Sequence, residues 1–348
     1  MNQRTSQPLV SIITPAYNEA DYIAECIESV LGQTYQNWDY TIVNNCSTDK
    51  TLEIAERYAA KDSRIRIYNN PALLRINANH NVAFRQISAD SRYCKVVFAD
   101  DWLFSDCLER MVSLAEAHPS VGIVGAYGLQ REAVLWTGLP YPSTVVSGRD
   151  VLRLWFLKGK YVCGAATAHM IRSDLVRSRN PFYNESNLHA DSETCFEVLR
   201  TSDFGFVHQI LTYTREPRAE SLRTTAFDLN VGLACGLREL LKHGPSSLTP
   251  DEMDVCLRSH MSGYYKFLGE SLLQGKSKKF WEYHRKKLDE IGVGLSRIRV
   301  ATAVCMKAAN ALLNPKLTLE NLFRGRNILQ ERFRGWKARH ASPQGARP

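Results

Sequence analysis

Apolar positions along the first third of the chain come in short runs separated by stripes at helical spacing. Val10–Thr14 is a run that ends at Pro15, followed by Ile23, Ile27, Val30 and Leu31 on one helical face and Gly32 as a stop. The same order returns: Tyr40–Val43 predicts a strand, Asn44–Thr48 a loop, and a helix from about Asp49 turns Leu52, Ala55, Tyr58 and Ala59 inward. Arg64–Tyr68 predicts a third strand, and Asn77–Ile87 a helix carrying Val82, Ala83 and Ile87. Lys95–Phe98 predicts a fourth strand that stops at Asp100-Asp101, after which Ser105 is placed to cap a helix with Leu108, Met111, Val112 and Ala115 inward. Val121–Ala126 predicts a fifth. Strands alternating with helices at this spacing give right-handed crossovers, hence an α/β fold with a mainly parallel sheet covered on both faces. Ligands of such sheets bind beyond the carboxyl ends of the strands, where the loops Pro15–Glu19, Asn44–Asp49 and Asp100–Trp102 fall.

Beyond Gly128 the pattern loosens. Gly148–Leu157 reads as helical, Val162–Ile171 as extended, Asp191–Leu199 as helical, and Phe204–His208 with Ile210–Arg215 as two short strands that complete one mixed domain. The stretch His-Gly-Pro-Ser-Ser-Leu-Thr-Pro ending at Pro250 predicts a boundary. Residues 8–245 then form the main domain, 250–340 a basic helical C-terminal region with helices at Asp251–Leu273, Lys278–Ile291 and Leu295–Leu313, and 341–348 a disordered tail.

Composition sharpens this division. From Pro250 onward 19 Lys/Arg stand against 9 Asp/Glu, leaving 25 against 27 before it, so the net charge of +8 belongs to the C-terminal region. Lys276-Ser277-Lys278-Lys279, Arg285-Lys286-Lys287, Arg297 and Arg299, and Arg324 and Arg326 alternate with Phe280, Trp281, Leu312, Leu313, Leu322 and Phe323. Basic residues beside apolar ones suit an anionic membrane surface; an ordinary helical cap is the competing reading, and no nucleic-acid motif is present. The nine cysteines are scattered with no Cys-x-x-Cys pair, which fits buried thiols in a reducing compartment. No run of 18 uncharged apolar residues and no secretory N-terminus are seen, so a cytoplasmic protein, peripheral at most on the inner face of the plasma membrane, is expected.

For chemistry, Asp100-Asp101 follows the apolar strand Lys95-Val96-Val97-Phe98-Ala99 at the ligand edge. Two carboxylates there suit a hard divalent cation that also binds phosphate oxygens, or else a solvated turn. The accompanying segments are Ser11-Ile12-Ile13-Thr14-Pro15-Ala16-Tyr17-Asn18-Glu19, Ser29-Val30-Leu31-Gly32-Gln33-Thr34-Tyr35 and Val43-Asn44-Asn45-Cys46-Ser47-Thr48-Asp49-Lys50-Thr51. In this order, with Asp100-Asp101 behind them, they resemble family two, the largest family of inverting glycosyltransferases with the GT-A fold. The resemblance spans roughly residues 8–225.

It implies a GT-A-type nucleotide-diphospho-sugar transferase fold with a C-terminal helical extension, and an enzyme that moves a sugar from a nucleotide-diphosphate donor, UDP-sugar favoured, to a glycan or lipid-linked hydroxyl. Carried over residue by residue, Pro15, Ala16, Tyr17 and Glu19 lie against the nucleoside, and Asn45 stands at the base contact. Arg75 and Asn81 line the same pocket, Asp100 contacts ribose or metal, and Asp101 holds Mg²⁺ or Mn²⁺ on the diphosphate. Asp191 stands at the acceptor-activating base, with Glu193 as runner-up; an N-cap role for Asp191 is the bland reading. The chain departs from the family at Asn44-Asn45, where two acidic residues are common, at Phe98, often an Asp, and at Ala190, often acidic. An Asn carbonyl can accept the imide proton of uracil, but its amide can also donate. Where a histidine is frequent near the diphosphate, Arg215 and Arg218 offer a guanidinium instead. A binder or scaffold that kept the fold with a degenerate site is the rival from another class.

Overall fold

The structure is a computed structural model, and it describes residues 7–216 and 229–314. The first three strand–helix steps and the fourth strand follow the sequence pattern: β1 (Val10–Ala16), α1 (Ile23–Leu31), β2 (Trp38–Asn44), α2 (Thr51–Ala59), β3 (Ile65–Asn69), α3 (Ile76–Phe84) and β4 (Tyr93–Val96). Then come β5 (Trp102–Leu103), α4 (Cys107–Ala117), β6 (Val121–Gln130), β7 (Ala133–Leu135), β8 (Val145–Val146) and α5 (Gly148–Lys158). A 3₁₀ turn at Ala166–Ala168 leads into β9 (His169–Arg172), α6 (Ser173–Arg177), α7 (Ala190–Leu199) and β10 (Asp203–Tyr213). The remaining helices are α8 (Val231–Ser247), α9 (Pro250–Leu273), α10 (Lys278–Glu290) and α11 (Arg297–Leu313).

The sheet runs in the order β3-β2-β1-β4-β9-β6-β10-β5, with β7 added to β6 and β8 to β10. β1 is parallel to both β2 and β4, and β2 to β3, while β9 is antiparallel to β4 and to β6. The mixed, mainly parallel sheet between helices is thus as the sequence predicts. Every residue of β1 is buried because helices cover both faces. One core gathers Val10, Ile12, Ile27, Val30, Tyr40, Leu108 and Met111; the other gathers Ile13, Val43, Ala83, Phe84, Phe204 and Phe206.

Three local expectations change. Ser105 does not cap α4: Asp106 precedes the helix without a side-chain cap bond, and Gln33 Oε1, from just after α1, accepts from Leu108 N–H of the first turn (3.1 Å) instead. Of Val162–Ile171 only the end is strand, because Ala166–Ala168 winds into the 3₁₀ turn that delivers Thr167 to the sheet edge. The two short strands expected at Phe204–His208 and Ile210–Arg215 are one strand, β10, whose register against β6 shifts between Val207 and Ile210, and that bulge breaks the alternation.

The chain forms two compact units, one ending at Leu257 and the other starting at Arg258. The division falls within α9, and Pro245 of the expected boundary lies inside α8. In the second unit, Tyr264, Leu268, Phe280, His284 and Leu288 are buried together, with Tyr264 Oη and His284 Nδ1 2.7 Å apart. Ser277 and Ser296 cap α10 and α11 by accepting from Phe280 and Arg299 N–H. α11 leaves Ile298, Met306, Leu312 and Leu313 exposed. Among the described residues no helix is long and apolar enough to cross a membrane.

Candidate active site

β1 pairs with β2 on one side and β4 on the other, so the strand order reverses between β1 and β4, and the region beyond their carboxyl ends is where open α/β sheets bind ligands. The loops that follow β1 and β2 are laced together there. Asn18 N–H donates to Ser47 Oγ, Glu19 N–H to Thr51 Oγ1 (2.7 Å) and Ala20 N–H to Asp49 Oδ2, while Asn18 Oδ1 accepts from Thr48 N–H (2.8 Å). Asn18 and Cys46 both take positive φ, 54° and 56°, a strained conformation for non-glycine residues that clusters at binding loops. Tyr17 projects from this frame and is exposed. Pro15 and Ala16 are buried in the end of β1, where Ala16 C=O accepts from Asn45 N–H, and Glu19 is half-buried.

Asp100 and Asp101 lie in the loop after β4, which is held from three sides. Phe98 N–H donates to Thr167 Oγ1, Asp101 N–H donates to Phe98 C=O, and Arg215 N–H donates to Asp101 Oδ1 at 2.9 Å. Asp101 is 2% exposed, and its Oδ2 is buried without a well-formed hydrogen bond. Burial and then the neighbouring charge of Asp100 push the Asp101 carboxyl up to about 7, against the opposing effect of Thr167 and Arg215. Arg215 Nε also donates to Asp100 C=O, and its guanidinium pairs with Glu25 at 2.5 Å over the Tyr22 ring. Behind the loop, Lys95 is fully buried with Nζ on the carbonyls of Thr167 (2.5 Å) and His169 (3.1 Å), and burial lowers its pKa.

Asn45 is engaged elsewhere than expected. Its Oδ1 accepts from Leu74 N–H (2.9 Å) and Asn70 Nδ2 (2.8 Å) while its Nδ2 donates to Leu74 C=O, so the amide anchors the 70–74 loop instead of standing free for a base. Arg75, exposed, leaves that loop at the start of α3. Asn81, expected to line the pocket, is 1% exposed and fully used: Nδ2 donates to Tyr183 C=O and Glu185, and Oδ1 accepts from Tyr183 N–H. It ties α3 to the loop before α7. Arg218 lies outside the described residues.

Asp191 and Glu193, expected on the acceptor side, sit in the first turn of α7. His189, not Asp191, occupies the N-cap position, which removes the capping reading of Asp191. Asp191 is half-buried and its Oδ1 accepts from Ser192 N–H. Its charge reaches His80, whose pKa burial lowers and Asp191 raises in part. The His80 ring stacks on Tyr183 and stands edge-on to Phe98 at 5.5 Å, two residues before Asp100. His80 therefore packs between Tyr183, in the loop before α7, and Phe98 at the strand end that carries the Asp pair. Glu193 is buried and surrounded by donors. His80, Lys95 and Thr167 carried no sequence signal, since a lone His or Lys in an apolar stretch reads as core or surface. His169 and His208 are structural, bonded to Cys163 C=O and to Tyr127 and Ser143. Among the described residues no group of three or more His, Cys, Asp or Glu is arranged to hold a metal ion.

Residues 11–179 match glycosyl transferase family 2. That segment, a little under half of the chain, is homologous to the family. Over 151 residues the glycosyltransferase domain is 34% identical to the putative glycosyltransferase EpsE of Bacillus subtilis, covering 41% of this chain and 53% of that protein. Over 108 residues it is 38% identical to the putative teichuronic acid biosynthesis glycosyltransferase TuaG of Bacillus subtilis, covering 30% and 41%. The chain thus spans about half or less of the length of these relatives. By structure it resembles S. aureus TarS 1–349 in complex with UDP-GlcNAc, with a TM-score of 0.61, 16% identity and coverage of 86% and 87%. It also resembles the mannosyltransferase PcManGT from Pyrobaculum calidifontis in complex with GDP-Man and Mn²⁺, with a TM-score of 0.53, 17% identity and coverage of 90% and 84%. The glycosyltransferase domain has the GT-A fold. Its family match ends short of α7, so Asp191 and Glu193 stand beyond it.

Proposed function

We propose that the chain is an inverting glycosyltransferase that moves a sugar from a nucleotide-diphosphate donor, UDP-sugar favoured, to a hydroxyl of a glycan or lipid-linked acceptor. The observation that carries this reading is Asp101: a buried carboxylate with an unsatisfied oxygen, beside a second carboxylate, beyond the carboxyl ends of β1 and β4 where the strand order reverses. A buried anion of this kind is costly unless a cation neutralises it, so the donor set fits a divalent ion. Asp101, with Asp100, would hold Mg²⁺ or Mn²⁺, and the bound ion would supply Lewis-acid stabilisation of the departing diphosphate.

The other roles are this chain's own. Tyr17 and the laced loops Pro15–Glu19 and Asn44–Asp49 form the nucleoside wall, and Arg75, with the Arg215 and Arg218 stretch, offers cationic contacts to the diphosphate. Asp191 takes the proton of the acceptor hydroxyl as it attacks the anomeric carbon, opposite the leaving nucleoside diphosphate. One base suffices for inversion, and no covalent intermediate is needed. The exposed apolar positions of α11 and the lysines of α10 favour an anionic membrane surface, where a lipid-linked acceptor would be met on the cytoplasmic side.

Turnover of UDP-GlcNAc and GDP-mannose on a glycolipid extract, with Mn²⁺ and with chelator, tests the reading. Metal-dependent release of UDP or GDP that disappears in Asp101→Asn and Asp191→Asn supports it; undiminished turnover in both variants overturns it. A second reading, a nucleotide-sugar-binding scaffold, draws on Asn45, whose amide is committed to Leu74 and Asn70. Calorimetric binding of UDP with no turnover on any extract would favour it. Sedimentation with phosphatidylglycerol vesicles tests the membrane assignment, which fails if the full chain stays in solution.

A further inference from the structure

Glu193 has the wrong surroundings for a base. Its Oε2 accepts from Asn187 Nδ2 (2.8 Å) and Asn184 Nδ2 (3.2 Å) and lies 3.4 Å from Arg238 Nη2, while its Oε1 lies 3.4 Å from Lys242 Nζ. Burial alone would raise its pKa, but the Asn187 hydrogen bond and the charges of Arg238 and Lys242 outweigh it and hold the carboxyl below its ordinary range. A carboxylate saturated by donors and depressed in pKa is a poor proton acceptor.

The same contacts make it a hub. Asn187 Oδ1 accepts from His189 N–H (3.1 Å) and from Cys235 of α8 (3.4 Å). On the other side Asn77 of α3 donates to the carbonyls of Asn184 (3.2 Å) and Asn187 (2.6 Å). The loop Asn184–His189, which delivers Asp191, is therefore fixed between α3 and α8, with Glu193 as the charged pin. Arg238 also pairs with Glu239 (3.1 Å), and Lys242 with Glu197, so α8 presents two cations to α7.

We infer that Glu193 and Arg238 are positioning residues for the acceptor base: their ion pair sets the Asn184–Asp191 backbone and hence where Asp191 stands. This rests on the reading of Asp191 as base. Removing either partner alone leaves the other charge with fewer partners, Arg238 with Glu239 and Glu193 with Lys242 and Asn187, whereas removing both removes the imbalance. Gln at 193 can still accept from Asn187, so the fold has a means of surviving the test.

The experiment is a cycle of Glu193→Gln, Arg238→Gln and the double variant. Amide hydrogen exchange over residues 184–191 is read together with calorimetric binding of UDP and kcat and KM on the glycolipid extract. Each single variant should speed exchange in that loop and lower kcat between about tenfold and a hundredfold, with UDP affinity and donor KM unchanged. The double variant should recover much of both losses. Unchanged exchange and kcat in the single variants, purely additive losses in the double, or UDP binding that weakens in step would each overturn the inference. So would a Glu193→Gln loss equal to that of Asp191→Asn, since Glu193 would then be the base. If Asp191→Asn turns over normally, the base assignment itself has failed; if it is inactive while the cycle is silent, only the positioning role has.

Discussion

The two sides of the proposed cleft are built by different means. On the β1–β4 side, strands buried on both faces end together, and the backbone places Tyr17, Asn18, Asp100 and Asp101 at their carboxyl ends. On the α7 side, the loop before Asp191 is located by side chains, Asn77, Asn81, Asn184, Asn187 and Glu193, reaching between helices. A site held by a parallel sheet tolerates side-chain change, because hydrogen bonds of the ladder keep its geometry. A site held by a buried polar network depends on every member, since one missing partner leaves another unsatisfied.

The largest expected effects compare the two sides by chemistry. Asp101→Asn should lower transfer about a thousandfold yet leave the fold intact or more stable, because a buried, poorly partnered carboxylate is removed. Linkage gives the sign. The folded-state pKa of about 7 lies above the ordinary 3.8, so the folded protein keeps a proton that the unfolded chain releases. Metal-free stability from this group is full below pH 4 and is lost as pH rises through 7, and Asn at 101 should abolish that decline. Thermal melts across this window, with and without Mn²⁺, check it. Asp191→Asn should reduce transfer by about 10² to 10⁴ with UDP affinity unchanged by calorimetry. Loss of UDP binding there would mean the two sides are not separable.

Next in size is a packing prediction for the α7 side alone. A Cβ on Gly148 would lie 1.9 Å from Leu199 C=O and 2.4 Å from Ser202 C=O, backbone that cannot swing aside. Gly148→Ala should therefore cost about 3 kcal/mol or more, read from denaturant midpoints at constant slope. A cost near zero would show that α5 and the end of α7 are loosely joined.

How much of this was legible follows the same division. The strand ends at Pro15, Asn44 and Asp100 were readable because apolar runs stop where the sheet does, and the ordered motifs identified the fold. Asp191 was reachable only through the resemblance, since nothing in Leu188–Thr194 distinguishes a base from a helix start. The backbone contacts of Asn45 and Asn81 were not legible for a physical reason: an amide that clamps a neighbouring backbone and one that faces a ligand have the same sequence. Glu193 and Arg238 are 45 positions apart and meet only when α8 packs on α7, so no local pattern records the pair.

The smallest prediction tests a helix start. α1 to α4 begin without a side-chain bond from the residue just before the helix, whereas α5 begins at Ser147, whose Oγ accepts from Asp150 N–H and donates to Asp150 Oδ2 at 2.7 Å. Ser105 offers the matched control: it stands before α4 as the sequence pattern would place a cap, but is exposed and caps nothing. Ser147→Ala should cost about 1 kcal/mol and Ser105→Ala only a few tenths at most. Urea midpoints of the two variants give the comparison directly. Equal costs would mean that the Ser147 bond contributes no more than an exposed hydroxyl. α5 would then be held by burial of Val151 and Leu152 alone, as the uncapped α1 is by Ile23, Cys26, Ile27 and Val30. A larger cost at Ser147 would show that the capping bond, and not burial alone, holds the start of α5.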